Sequence, residues 1–252
     1  MKMNRLRAGL THLAISATLA TLVFLAIYLV WFPDVLFEGA GGRDLFLLIA
    51  CVDVTLGPLI TFIVFVPGKK GLKLDLAVIG TVQLAALVYG VWVMFEARPV
   101  YIVFATDRFD LVRANDIPDE VLAKARAKGH GSLPLAGPEI VGVRMPKGAD
   151  ESFDMMMSAA SGVDLPAYPE YHVPYDQVRE QVRARGTPVA ELRKFNQDRL
   201  DEVDRVLASI GRKPEELLFL PMRAGKRDLT VIVDAKSGDI VRIASLRPWQ
   251  YS

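Results

Sequence analysis

Three long apolar runs fall within the first 95 residues, and they constrain this chain more than any other feature. Residues 10–32 contain no acidic side chain, lysine or arginine, and His12 is the one basic group among them. A helix of that length reaches about 34 Å at roughly 1.5 Å per residue, slightly more than a bilayer's hydrocarbon core of about 30 Å. Residues 45–66 form a second run, interrupted by Asp53, and residues 76–95 a third, with Gln83 its most polar member. A backbone crosses lipid only when its hydrogen bonds close within itself, so three transmembrane helices are expected. The first run continues well past the small residues Ala14-Ile15-Ser16-Ala17, further than the apolar region of a cleavable signal peptide, which argues for a retained helix.

The flanking charges orient these helices. Lys2, Arg5 and Arg7 precede the first, and Lys69, Lys70 and Lys73 lie between the second and third. Between the first and second, Arg43 alone stands against Asp34, Glu38 and Asp44. The excess of cations marks the first side as cytoplasmic. The expected organisation is therefore a three-helix transmembrane bundle, residues 1–95, followed by a small α+β periplasmic domain, residues 96–252. In a bacterium this is a multi-pass inner-membrane protein with its N-terminus in the cytoplasm.

Composition narrows the function classes. The 30 lysines and arginines nearly cancel the 29 aspartates and glutamates, which argues against a nucleic-acid binder with a broad basic surface. One cysteine, Cys51, excludes an intrachain disulfide framework and a cysteine-rich metal site. Beyond residue 95, β-rich runs at 100–104 and 109–112 flank a turn, and Pro118 opens a short helix ending near Gly129. Residues 150–160 read as a helix, and residues 162–174 as an extended, proline-rich connector. Two helices are expected over 175–185 and 188–210. A β-hairpin follows, with strands 229–233 and 240–244 around Asp234-Ala235-Lys236-Ser237-Gly238-Asp239. The pattern predicts a small antiparallel sheet with helices on one side.

No catalytic residue, metal site or cofactor emerges. There is no Gly-x-Ser-x-Gly elbow, P-loop or dinucleotide fingerprint, and His130 and His172 lie in loops without metal-ligand spacing. The membrane part is more informative. Asp53, Thr55, Gly57, Pro58 and Thr61 share the second helix, with Gln83 at similar depth on the third. An acid near the middle of a span costs roughly 2.5–3.5 kcal/mol on insertion scales, so Asp53 should meet a polar partner. That partner is either Gln83 or a threonine of the first helix, or else the kinked segment docks another protein's membrane helix. Small residues at Ala14, Thr18 and Thr21, and at Ala77, Thr81 and Ala85 with Ala86-x-x-x-Gly90 beside them, have the spacing for close helix packing, within the bundle or against a second copy. Tyr168, Tyr171 and Tyr175 in and after the connector offer amphipathic contact area for a partner, or cap the domain's own core.

Residues 12–113 carry a resemblance. The pieces His12-Leu-Ala-Ile-Ser16, Phe46-Leu-Leu-Ile-Ala50, Asp53-Val-Thr-Leu-Gly-Pro-Leu-Ile-Thr61, Lys69-Lys70, Asp75-Leu-Ala-Val-Ile79, Gln83-Leu-Ala-Ala86 and Glu96-Ala-Arg-Pro-Val-Tyr101 resemble the TfpX/TfpZ family of type IV pilin accessory proteins. The final hairpin with Asp234, Ser237 and Gly238 and the Arg247-Pro248-Trp249 tail are similar as well. The resemblance implies a non-enzymatic inner-membrane protein that works with a cognate type IV pilin, alongside the inner-membrane pilus assembly machinery, and it implies no catalytic residues or cofactors. A membrane-anchored periplasmic enzyme and a structural membrane scaffold are the alternatives.

Overall fold

The structure is a computed structural model that describes residues 3–250. Three helices have the length and composition to cross a membrane: α1 (Arg5–Val30), α2 (Gly42–Val64) and α3 (Leu72–Glu96). Their outward faces carry exposed Ile15, Leu29, Leu48, Val82 and Val88, an apolar surface of the kind lipid would cover. The Asn4 side chain caps α1 by accepting a hydrogen bond from the Arg7 amide at 2.9 Å. Gly71, in the left-handed region at φ 89°, turns the chain into α3.

A mixed sheet follows the bundle. Its strands are β1 (Pro99–Ala105), β2 (Arg108–Arg113), β3 (Glu139–Val143), β4 (His172–Pro174), β5 (Thr187–Pro188), β6 (Leu217–Arg223), β7 (Leu229–Asp234) and β8 (Ile240–Ala244). The spatial order is β4-β3-β1-β2-β6-β7-β8, and β5 also pairs with β6. Two pairings, β1 with β3 and β2 with β6, are parallel; the others are antiparallel. The expected purely antiparallel sheet is thus corrected, because helical crossovers separate the partners of both parallel pairs. Those crossovers include α4 (Asp119–Ala127), α5 (Ala149–Ala160), α6 (Arg179–Arg185) and α7 (Leu200–Ile210).

Both faces of the sheet are covered, rather than one. Side chains alternate along each strand with a period of two. Ile102, Phe104, Phe109, Leu220, Met222, Val231 and Val233 point to a face that packs on Ile27, Phe32, Phe37 and Met94 from the bundle end, with Val178 and Val182. The opposite face holds two further clusters. Val100, Val103 and Val141 pack with Leu122 of α4 and Tyr171 in one, and Phe219 and Ile232 with Leu192 and Val203 of α7 in the other.

The main core therefore crosses the junction near residue 96. The α1–α2 connection, including the one-turn helix Leu36–Gly39, lies against the β6–β7 hairpin. There the Lys226 amide donates to the Gly39 carbonyl at 3.1 Å, and Lys226 Nζ stands 3.0 Å from Asp44. Gly39 is required by proximity, since a Cβ would come within 2.8 Å of Leu229 Cδ1. On the other side Arg98 is buried between α3 and β1, with its guanidinium 3.7 Å from the Phe95 ring centre. It donates to the carbonyls of Phe95 at 2.7 Å and Pro134 at 3.2 Å.

Two helical expectations need correction. The connector is not extended: it winds through 3₁₀ turns at Leu165–Ala167 and Pro169–Tyr171 before β4. The expected helix 188–210 breaks at Asn196, whose buried amide donates to the carbonyls of Leu192 at 2.8 Å and Arg247 at 3.0 Å. The second half remains helical as α7, which buries Val203 fully and packs Leu207 and Ile210 partly on the same cluster, while Leu200 is exposed.

Phe32 is fully buried at the join and meets Phe37 edge-to-face with ring centres 6.2 Å apart. Phe32→Ala is expected to cost about 3–5 kcal/mol and to lower the apparent Tm of the full chain in detergent. It should also hasten proteolysis within residues 33–44. Unchanged melting and proteolysis would mean that bundle and sheet behave as independent bodies.

Candidate functional site

The polar residues of the bundle converge on an irregular turn. Within α2, Val52–Leu56 forms a π-helical turn, whose defining hydrogen bonds reach the carbonyl five residues back instead of four. Pro58 has no N–H to give. In the widened register its acceptor would have been the Asp53 carbonyl, five residues earlier. Gln83 of α3 fills the gap, with Nε2 donating to the Asp53 carbonyl oxygen at 3.2 Å. Gly57 makes room for it: a Cβ there would fall 1.8 Å from Gln83 Nε2.

Helix α1 closes the seam from the other side. His12 Nδ1 and Thr61 Oγ1 share a hydrogen bond at 2.6 Å, and Thr61 is buried. Gly9 brings the two backbones together, its notional Cβ lying 3.3 Å from Phe62 Cβ. Arg5 Nε donates to the Phe65 carbonyl at 3.1 Å and ties the ends of α1 and α2. Gly9 and His12 were not singled out as site residues on sequence. The signal that could have found them is the 9, 12, 16 spacing of Gly9, His12 and Ser16, one helical face in an otherwise apolar run.

The structure thus brings Asp53, Gly57, Pro58, Thr61 and Gln83 together but not Thr55. Thr55 is exposed, and its hydroxyl donates back to the Cys51 carbonyl. The expected link between the Asp53 side chain and Gln83 is replaced by a link to the Asp53 backbone. Helix α1 contributes a histidine instead of a threonine. Thr18 and Thr21 turn outward and donate to the Ala14 and Ala17 carbonyls, both at 2.8 Å, so that stripe of small residues does not pack within the bundle. Ala77, Thr81 and Ala85 are exposed in the same way.

Asp53 itself is 8% exposed. Its Oδ1 is buried without a hydrogen-bond partner among the described residues, and so is Oε1 of Gln83. Beside it a cleft of about 370 Å³ opens between α2 and α3, lined by Ile49, Val52, Ala86, Tyr89 and Gly90 among others. Gly90 sets the floor, since a Cβ would come within 2.8 Å of Ile49.

In the sheet domain the three tyrosines are engaged within the fold. Tyr171 is 7% exposed beneath the Arg144 guanidinium, 4.6 Å from its ring centre. The Tyr168 and Ser158 hydroxyls are hydrogen-bonded, which ties the connector to α5. Tyr175 OH donates to the Gly238 carbonyl at 2.6 Å, and burial pushes its pKa up to about 12. A second cavity of about 450 Å³ lies between α5 and the β1–β2 turn, with Met155 and Met156 on one side. The Asp110–Arg223 pair, 2.8 Å apart, stands on the other. Burial raises the Asp110 carboxyl above its ordinary range despite that arginine. His172 donates from Nε2 to the Pro166 carbonyl at 2.9 Å and meets the Tyr101 ring edge-on, while His130 is exposed. Among the described residues no group of three His, Cys, Asp or Glu side chains is arranged to hold a metal ion.

Two outcomes follow from this geometry. In Gly57→Ala the new methyl displaces Gln83 and orphans the Asp53 carbonyl, as Gln83→Ala does, each costing about 1–3 kcal/mol. The double variant should then melt no lower than the worse single one; additive losses would show that Gly57 does not protect this bond. Separately, burial holds the His172 pKa below its ordinary 6.5, so the unfolded chain takes up a proton there first. The contribution of His172 is present above about pH 6.5 and is lost as pH falls below it. His172→Gln should therefore shallow the decline in apparent Tm between pH 7 and pH 5, and an unaltered slope would refute the assignment.

No family model and no solved structure matches this chain. Among curated proteins it is similar to the serogroup I fimbrial assembly protein of Dichelobacter nodosus, 32% identical over 227 residues that cover 88% of each chain. The serogroup E1 fimbrial assembly protein of the same organism is 31% identical over 227 residues, again 88% of each. That of serogroups C1 and C2 is 37% identical over 116 residues, 45% of this chain and 88% of the relative. With identity above 30% sustained over most of both sequences, the chain belongs to the family of these fimbrial assembly proteins.

Proposed function

We propose that this protein is an inner-membrane accessory factor for type IV pilus biogenesis that binds its cognate pilin and promotes or modulates its assembly into pili. It acts by binding rather than by catalysis, and its sheet domain lies in the periplasm. One observation carries this reading: the sheet domain is packed onto the end of the helix bundle opposite the cationic end. Arg5, Arg7, Lys69, Lys70 and Lys73 all stand at that other end, at the start of α1 and around the α2–α3 turn. The positive-inside rule assigns that end to the cytoplasm. Exposed Tyr89 and Trp92, near the domain end of α3, suit the membrane–water boundary on the other side. The names of the relatives supply the link to fimbria assembly.

A pilin awaiting assembly holds an apolar helix in the membrane and a globular head outside. A rigid body with a bundle in the membrane and a domain above it meets both. The tyrosines of the connector serve such binding by holding α5 in place through the Tyr168–Ser158 bond.

Topology is tested with single cysteines in a Cys51→Ser background and a membrane-impermeant maleimide on intact spheroplasts. Asp150→Cys is expected to label and Lys70→Cys to stay protected until lysis; the reverse pattern would overturn the orientation. Deleting the gene should abolish or sharply reduce surface pili while pilin is still synthesised. Normal piliation in the deletion strain would overturn the role.

A further inference from the structure

The polar seam of the bundle has an unmatched half. Gln83 donates an amide N–H to the Asp53 backbone and makes no bond to the Asp53 carboxyl, His12 and Thr61 satisfy each other, and Thr55 is turned away. That leaves two buried acceptors, Asp53 Oδ1 and Gln83 Oε1, with no donor among the described residues. Buried polar atoms are nearly always paired, and in hydrocarbon no solvent supplies the missing partner. Asp53 is more than nine-tenths buried and lines the cleft between α2 and α3.

The remainder of that cleft is apolar. Leu48, Val52 and Tyr89 form its exposed rims, and Ala86 and Gly90 leave the space between them. Asp53 is the twelfth of the 23 residues of α2, so the acceptor stands midway along the span. A lipid headgroup, confined to the bilayer surface, does not reach that depth. Ala86, small and exposed on α3, admits a neighbouring helix at close range.

We infer that the α2–α3 cleft is a docking site for a partner's transmembrane helix that carries, at mid-membrane depth, a side chain donating a hydrogen bond to Asp53. The inference rests on the pilin-binding reading, whose membrane half it locates. It predicts an apolar helix interrupted by a donor, an amide, hydroxyl or cationic group, rather than a uniformly aliphatic one. Asp53→Asn keeps an acceptor oxygen at this position, whereas Asp53→Leu removes it.

The test is photo-crosslinking of the full-length protein in the membranes of a piliated host. A photoreactive residue is placed at Leu48 or Tyr89 on the cleft rims, at Ile15 on the outer face of α1, and at Asp150 on the sheet domain. Pilin adducts are expected from Leu48 and Tyr89 but not from Ile15, mapping within one helical turn of a donor residue in the pilin's membrane helix. They should fall at least tenfold in Asp53→Leu and less than threefold in Asp53→Asn. If Asp53→Leu fails to accumulate, Ala86→Phe fills the cleft without touching Asp53 and should abolish the same adducts. Pilin adducts from Asp150 with none from the cleft, or cleft adducts indifferent to both substitutions, would overturn the docking site and leave the pilin-binding reading standing. Cleft adducts only to lipid or to a second copy of this chain would overturn it too. Pilin adducts from no position at all would remove both.

Discussion

The structure depends on an apolar core that bundle and sheet build together. Phe32, Phe37 and Met94 come from the bundle end, and Phe104, Phe109, Leu220 and Val231 from one face of the sheet. The two sets pack into one buried cluster. A fully buried side chain of this kind contributes about 1.5–3 kcal/mol relative to exposure, so a handful outweighs the few polar contacts at the join. Arg98 and the Lys226–Gly39 backbone bond add direction to an attraction that has none of its own.

Within the bundle the governing constraint differs, because helices surrounded by lipid would gain little from burying one apolar surface against another. Pro58 removes a backbone donor, the helix widens by one residue, and the freed carbonyl takes its hydrogen bond from another helix. Gly57 and Gly9 are glycines for the same reason, since close approach brings the polar atoms within reach. The π turn is thereby held from outside its own helix, by Gln83.

Much of this was legible in the residue order, and what was missed has a physical reason. The three long apolar helices were readable because lipid would impose a length and an apolar composition on any helix that crosses it. The β7–β8 hairpin was readable because its turn residues act locally. The parallel pairings of β1 with β3 and β2 with β6 join segments far apart in sequence, and no local pattern announces them. Asn196 breaks a helical pattern only because the Arg247 backbone, 51 residues away, receives its side chain. At the seam, Asp53, Gly57, Pro58, Thr61 and Gln83 were visible as polar or helix-bending exceptions in apolar runs. Thr55 looked equivalent, but the widened turn rotates it outward. The inward turn of Tyr168, Tyr171 and Tyr175 depended on a connector that curls instead of extending.

The buried Arg98 joint makes the molecule a caliper. From Asp53 to the start of α2 is about 16 Å of helix, and beyond it the shared core and Arg98 hold the sheet against the bundle end. A partner held both in the cleft and at the domain must present its two contacts at a matching separation. A helix longer or shorter by one turn misplaces its head by about 5 Å and forfeits one contact, and with it the gain from binding at two points. A tilt of the bundle also becomes a displacement of the domain: about 10° over the roughly 37 Å of α3 moves its far end by about 6 Å. For a partner bound at both points, length discrimination and mechanical transmission would thus follow from one short join.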